Sequence, residues 1–179
     1  MYGLLIGRFQ PFHLGHLSAV EYALKNVDTL WIVVGSANKS HEYRNPFTAG
    51  ERIEMIKSTL DAYGIDAKRW HAIPVYDVDI HYLWVMQVNM QVPHYDIVFT
   101  NEPFTQLLFK EHGKNVMEIP LINRSMLSGT EVRARIADDR DWGSLVPEQV
   151  TRVIDRVKGV ERIKVLYSLH GNYAKHTIH

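Results

Sequence analysis

Two histidines, His13 and His16, close the run Gly7-Arg8-Phe9-Gln10-Pro11-Phe12-His13-Leu14-Gly15-His16. Their type and spacing suit the binding of an anion. Residues three apart on a helix share one face, and each imidazole can donate an N–H bond to a phosphate oxygen. Leu4-Leu5-Ile6, before the run, reads as a short buried strand; Leu14, Leu17, Val20 and Leu24, within and after it, form a helical apolar stripe. The histidines therefore fall at a strand-to-helix turn. There, free backbone N–H groups and the helix dipole favour negative charge. Arg8 adds a cation, and Gly15 lets backbone and ligand approach closely. The expectation is a polyphosphate site at the carboxyl end of the first strand.

The elements that must position this site alternate along the chain. Strands are expected at Leu4–Ile6, Leu30–Val34, Trp70–Val75, Ile97–Phe99 and Val116–Ile119. Helices are expected at His13–Lys25, from Thr48, at His81–Met90 and at Glu102–Glu111, then from Ser128 and over about 147–157 and 160–169. Thr48 and Glu51 have capping-box spacing, as do Ser128 and Glu131. Pro74 suits an edge strand or a strand end. Alternation of this kind predicts an α/β fold: a Rossmann-like, doubly wound parallel sheet of about five strands, with extra C-terminal helices. Ligands of such sheets bind beyond the carboxyl ends of the strands, where the strand order switches. With no linker or repeat, the chain reads as one domain over residues 1–179. Its polar tail, 171–179, is expected to be flexible, with His176 and His179 at the surface.

Three further groups fall at strand ends or helix starts. Ser128-Gly129-Thr130 followed by Arg133 places two hydroxyls and free N–H groups at a helix start, with a forked donor one turn on. Residues 41–52, HEYRNPFTAGER, make a polar, basic loop after the second strand, preceded by Ser36 and Lys39; Arg44 is exposed or anion-binding, and Arg52, inside a helix, is structural. Trp84 follows Asp77 and Asp79. An indole face suits a flat aromatic cation, although Trp84 also fits a plain core and either aspartate could cap a helix.

The first run resembles the (H/T)xGH signature of the nucleotidyltransferase superfamily. In its full form it is similar to the archaeal-type nicotinamide-nucleotide adenylyltransferases. Ser128-x-Thr130-x-x-Arg133 resembles that family's SxTxxR motif, HEYRNPFTAGER its S-H-x-x-R-x-P-F-T-x-G-E-R segment, and Gly159–Ile163 its GVERI segment. The resemblance runs from Tyr2 to about Lys164. It implies adenylyl transfer from ATP to nicotinamide mononucleotide, giving NAD and pyrophosphate, with Mg²⁺ bridging phosphates and no protein metal ligand. By the same resemblance, His13 and His16 hold phosphate through the transfer, assisted by Arg8, Arg44 and Arg133. Gly15, Ser128 and Thr130 line the triphosphate site. Trp84 stacks on nicotinamide beside Asp77 and Ser36, and Asn101 lies near the adenosine. Leu14, where some relatives carry a basic residue, and Glu102 depart from the family pattern.

Composition bounds the alternatives. Twenty basic residues balance twenty acidic ones, so no global field invites nucleic acid. No cysteine is present, which removes disulfides and cysteine-type zinc sites, and His13-x-x-His16 lacks a third ligand at sensible spacing. No apolar run reaches the roughly 20 residues of a membrane helix, and the N-terminus shows no signal-peptide pattern. A cytoplasmic protein acting on small nucleotides is expected, as a homo-oligomer with a hexamer among the forms open. Two rivals remain. Another small-acceptor nucleotidyltransferase, of the phosphopantetheine or glycerol-phosphate type, is disfavoured by the Trp84 block and the 41–52 loop. A nucleotide-sensing module without turnover is disfavoured by the presence of both histidines, both hydroxyls and three arginines.

Overall fold

The computed structural model describes residues 1–120 and 127–176, the last five by their backbone only. Five strands form one parallel sheet: β1 (Tyr2–Gly7), β2 (Thr29–Val34), β3 (Trp70–Pro74), β4 (Ile97–Phe99) and β5 (Asn115–Met117). Their order is β3-β2-β1-β4-β5. The chain builds outward from β1 to β3, then returns to the other side of β1 for β4. That reversal opens a crevice between the carboxyl ends of β1 and β4. β3 is an edge strand, and Pro74 is its last residue, where a missing N–H costs no ladder bond.

The helices are α1 (Leu14–Asn26), α2 (Ala49–Ala62), α3 (Trp84–Gln91), α4 (Pro103–Glu111), α5 (Gly129–Ala137), α6 (Glu148–Arg156) and α7 (Gly159–His176). Alternate residues of each strand serve opposite faces. Leu5, Ile32 and Phe99 join α1, α2, α5, α6 and Ile163 of α7 in one buried core. Leu4, Val33 and Val98 join Val85 and Val88 of α3 with Leu108 and Phe109 of α4 in the other. Both faces of the central strands are covered, which is why those strands read as continuous apolar runs.

Several boundaries differ from the sequence expectation. Residues 81–83 form a short 3₁₀ turn, so α3 begins at Trp84. β5 ends at Met117 rather than Ile119, because the Ile119 backbone pairs with the Asn101 side chain instead of a strand. Thr48 and Glu51 complete a capping box. Ser128 accepts from the Glu131 N–H at 3.1 Å, but the Glu131 carboxylate turns to Arg135 at 2.8 Å, leaving only half a box. α7 continues past Leu169 to His176; His179 lies outside the described residues. No helix among the described residues is long and apolar enough to cross a membrane.

Candidate active site

The turn after β1 carries the histidines. His13 is the N-cap of α1, with extended backbone, and its carbonyl accepts from the His16 and Leu17 N–H groups. Its own backbone N–H donates to His16 Nδ1 at 3.3 Å. That bond makes Nδ1 the acceptor and assigns the proton of a neutral His16 to Nε2. The two rings stack with centroids 3.6 Å apart, and Phe9 and Phe12 flank His16. Burial pulls the His13 pKa down to about 4, and burial together with His13 pulls His16 well below its ordinary value. Both rings are therefore neutral at physiological pH, and each can offer one N–H. His13 is 6% exposed, and its Nδ1 is buried without a hydrogen-bond partner among the described residues. Gly15 leaves room for this geometry: a Cβ there would lie 3.1 Å from the His13 ring and 3.3 Å from Leu127.

Three cavities join end to end along the carboxyl edge of the sheet. The first, about 270 Å³, lies over the β1–β4 crevice and includes His13, Gly15, His16, Thr100, Asn101 and Ser128 in its lining. It shares Ile6, Thr100 and Glu102 with the second, about 640 Å³, into which Trp84 faces. The second shares Arg8, Ser36, Arg44 and Asp77 with the third, about 450 Å³, which adds Lys39 and His170. A groove thus runs from the histidine pair past an indole to a cluster of cations.

The side chains along this groove are held by defined partners. Ser36 Oγ donates to Asp77 Oδ1 at 3.1 Å, and Lys39 Nζ lies 3.4 Å from Asp77 Oδ2. The Asp77 N–H donates to Asn38 Oδ1, so Asp77 belongs to the groove wall and caps no helix. Trp84, partly buried, meets Phe109 edge-on with ring centroids 5.9 Å apart. Asn101 spends its amide on the backbone of Ile119, donating to its carbonyl and accepting from its N–H, each at 2.8 Å. It therefore offers the cavity its position rather than a free amide. Glu102 caps α4, accepting from the Phe104 and Thr105 N–H groups.

Arg133 sits elsewhere than at the groove surface. It is 4% exposed, and Nη1 donates to the Gln10 carbonyl at 2.7 Å while Nη2 reaches Thr130 Oγ1 at 3.4 Å. Its guanidinium supports the β1–α1 turn from below. Gly129 makes that possible, since a Cβ there would come 2.9 Å from the Gln10 carbonyl oxygen.

Arg52, which the sequence reads as structural, ties together the loops that carry the site. It is fully buried, and its guanidinium donates to the carbonyls of Arg8 (2.7 Å), Gly35 (2.7 Å), Ser36 (3.1 Å) and Thr48 (3.1 Å). Burial, with Arg8 nearby, lowers its pKa to about 10, so it stays cationic at neutral pH. Phe9 and Ser36 adopt positive φ, at 52° and 49°. Such backbone is costly for residues with a Cβ, and Arg52 pins the carbonyls beside or at both. Gln10 adds a second tie, exchanging two 2.9 Å hydrogen bonds with the Phe47 backbone. Neither tie leaves a periodicity or spacing that the sequence could reveal. The same holds for Arg162, which forks onto Glu51 at 2.7 and 2.9 Å and fastens α7 to α2.

Residues 4–135 match the cytidylyltransferase-like family model. A nicotinamide-nucleotide adenylyltransferase of Thermococcus onnurineus is 43% identical over 164 residues, covering 92% of this chain and 87% of the relative. The chain belongs to the nicotinamide-nucleotide adenylyltransferase family. A member from Archaeoglobus fulgidus is likewise 43% identical over 168 residues, with 92% and 96% covered, and one from Methanolobus tindarius is 45% identical over 159 residues, with 89% and 90% covered. Among solved structures, a bifunctional NMN adenylyltransferase/ADP ribose pyrophosphatase of Francisella tularensis, complexed with AMP and a manganese ion, superposes with a TM-score of 0.73 at 22% identity. It covers 98% of this chain, while this chain spans 54% of that one. That likeness concerns the fold.

Proposed function

We propose that this chain transfers the adenylyl group of ATP to nicotinamide mononucleotide, forming NAD and releasing pyrophosphate. Family membership supports the reaction. The observation that carries it to these residues is the continuous groove from the stacked His13–His16 pair, past Trp84, to Arg8, Lys39 and Arg44. An oxygen of the mononucleotide phosphate attacks the α-phosphorus of ATP in line. A new P–O bond forms, the bond to the β-phosphate bridging oxygen breaks, and pyrophosphate leaves with that electron pair. The attacking phosphate is already ionised near neutral pH, so the protein supplies positioning and charge neutralisation rather than a base.

The neutral histidines donate N–H bonds to the transferring phosphoryl group, His16 through Nε2. Arg8 and Arg44 neutralise phosphate charge. Ser128, Thr130 and Gly15 form the edge where the triphosphate lies against the start of α5, and Arg133 holds the turn they face. Trp84 stacks on nicotinamide, Ser36 and Asp77 border that pocket, and the strand end at Asn101 borders the adenosine. The rim carboxylates are engaged, Asp77 by Ser36 and Lys39 and Glu102 by backbone N–H groups. Arg8, Lys39 and Arg44 are the cations along the groove. No protein metal ligand is assigned: a Mg²⁺ ion entering with the triphosphate would supply charge neutralisation there.

We place the enzyme in the cytoplasm, as a homo-oligomer. Met86 and Met90 of α3 and Leu107 of α4 are exposed, and exposed apolar side chains suit burial against a second copy. Light scattering on a sizing column tests that point. The reaction is tested by incubating the protein with ATP, Mg²⁺ and nicotinamide mononucleotide, with nicotinic acid mononucleotide in parallel. Dinucleotide and pyrophosphate in equal amounts are expected. Absence of both products, with ATP still bound, would move the assignment to another acceptor.

A further inference from the structure

One wall of the basic cavity comes from α7, which none of the phosphate-binding motifs includes. His170, exposed, lines the cavity together with Arg8, Lys39 and Arg44. Its ring lies parallel to that of Tyr43, with centroids 3.9 Å apart and 12° between planes. Tyr167, one turn earlier on the same face of α7, meets the same ring at 4.5 Å. The Tyr43 ring thus contacts two α7 side chains. Its own loop is closed by reciprocal backbone hydrogen bonds between Glu42 and Asn45 and by Asn45 Nδ2 donating to Glu42 Oε2. This loop carries Arg44. The position of His170 against the cation cluster is therefore set by ring stacking, while its nitrogens are not needed for that stacking.

We propose that His170 is a phosphate-binding residue of this site, donating an imidazole N–H to the same anion that Arg8, Lys39 and Arg44 hold. The proposal rests on the adenylyl-transfer reading only for the identity of the anion. The cavity's charge argues for it directly: three cations surround the space, and of the two carboxylates in the lining, Asp77 is engaged by Ser36 and Lys39 and Glu42 by Asn45. The charged groups that line the cavity with His170 are Arg8, Lys39, Arg44, Glu42 and Asp77. An imidazole N–H at this place adds a hydrogen-bond donor to the anion that the three cations hold.

The test compares His170→Phe, which keeps a ring to stack on Tyr43 but has no N–H, with His170→Ala and the parent protein. Binding of inorganic pyrophosphate is measured by calorimetry at neutral pH, alongside KM and kcat for both substrates. Both variants should weaken pyrophosphate binding about tenfold. KM for at least one of the two substrates, both of which carry phosphate, should rise with kcat little changed. If His170→Phe binds as the parent does, the residue serves only to stack and the proposal fails. If the parent protein binds no pyrophosphate, the proposal fails as well. If the parent binds pyrophosphate in a His170-dependent way but makes no dinucleotide, the phosphate role stands and the adenylyl-transfer reading fails.

Discussion

Arg133 donates through Nη1 to the carbonyl oxygen of Gln10 at 2.7 Å, across 123 residues of sequence. The two most informative motifs of the chain are in this way one structural unit. The helix that offers Ser128 and Thr130 also fixes the turn that offers His13 and His16. Arg133→Lys keeps the charge but cannot reproduce a forked donor to both Gln10 and Thr130. Turnover should fall about tenfold to a hundredfold, with a folded circular-dichroism spectrum. Unchanged kcat/KM would show that the turn holds its shape without the guanidinium.

Arg52 makes a separate prediction about stability. Arg52→Met leaves the buried carbonyls of Arg8, Gly35 and Ser36 without their donor, and Arg52→Lys can serve only part of them. A loss of about 3 kcal/mol is expected for the methionine variant, which corresponds to roughly 6–12 °C in Tm for a chain of this size. Thermal unfolding followed by calorimetry checks it. The lysine variant should fall between the parent and Arg52→Met.

The neutral histidine pair makes stability depend on pH in a stated direction. His13 titrates at about 4 when folded and near 6.5 when unfolded. Between those values the unfolded chain binds the extra proton. The contribution is therefore fully present above about pH 6.5 and is lost as pH falls toward 4, reaching an order of 3 kcal/mol. His16 acts in the same direction. His13→Gln should show a shallower loss of urea resistance between about pH 7 and 5 than the parent. Parallel curves for the two proteins would contradict the burial of a neutral imidazole at this position.

Substitution of Trp84 tests whether recognition can be separated from chemistry. Its indole faces the cavity on one side and meets Phe109 on the other. Trp84→Ala should raise KM for nicotinamide mononucleotide about tenfold or more and leave KM for ATP near its parent value. Trp84→Phe should recover part of the difference. Equal rises in both constants would mean that Trp84 acts as core packing.

The fold was legible where burial is two-sided and therefore continuous in sequence. Leu30–Val34 and Ile97–Phe99 read directly as strands because each feeds both cores. The Thr48–Glu51 box was equally legible, being local. Tertiary competition was not. Glu131 has capping-box spacing but chooses Arg135, and Asn101 turns its amide to Ile119. Arg133 reads in sequence as an anion donor and Arg52 as structural, yet both are buried against the turns after β1 and β2, a placement that depends on carbonyls contributed from far along the chain. His170 belongs to the groove only because α7 continues beyond the last apolar stripe that marks it in sequence.

The central claim is that the His13–His16 pair supplies hydrogen bonds to the phosphoryl group in transfer. Its most direct test is the rate of NAD formation from ATP and nicotinamide mononucleotide by His16→Ala at saturating substrates, with folding and ATP binding checked independently. Loss of the Nε2 donor should lower kcat by about 10²–10³ while ATP still binds. A folded His16→Ala protein that makes NAD at the parent rate would contradict the account.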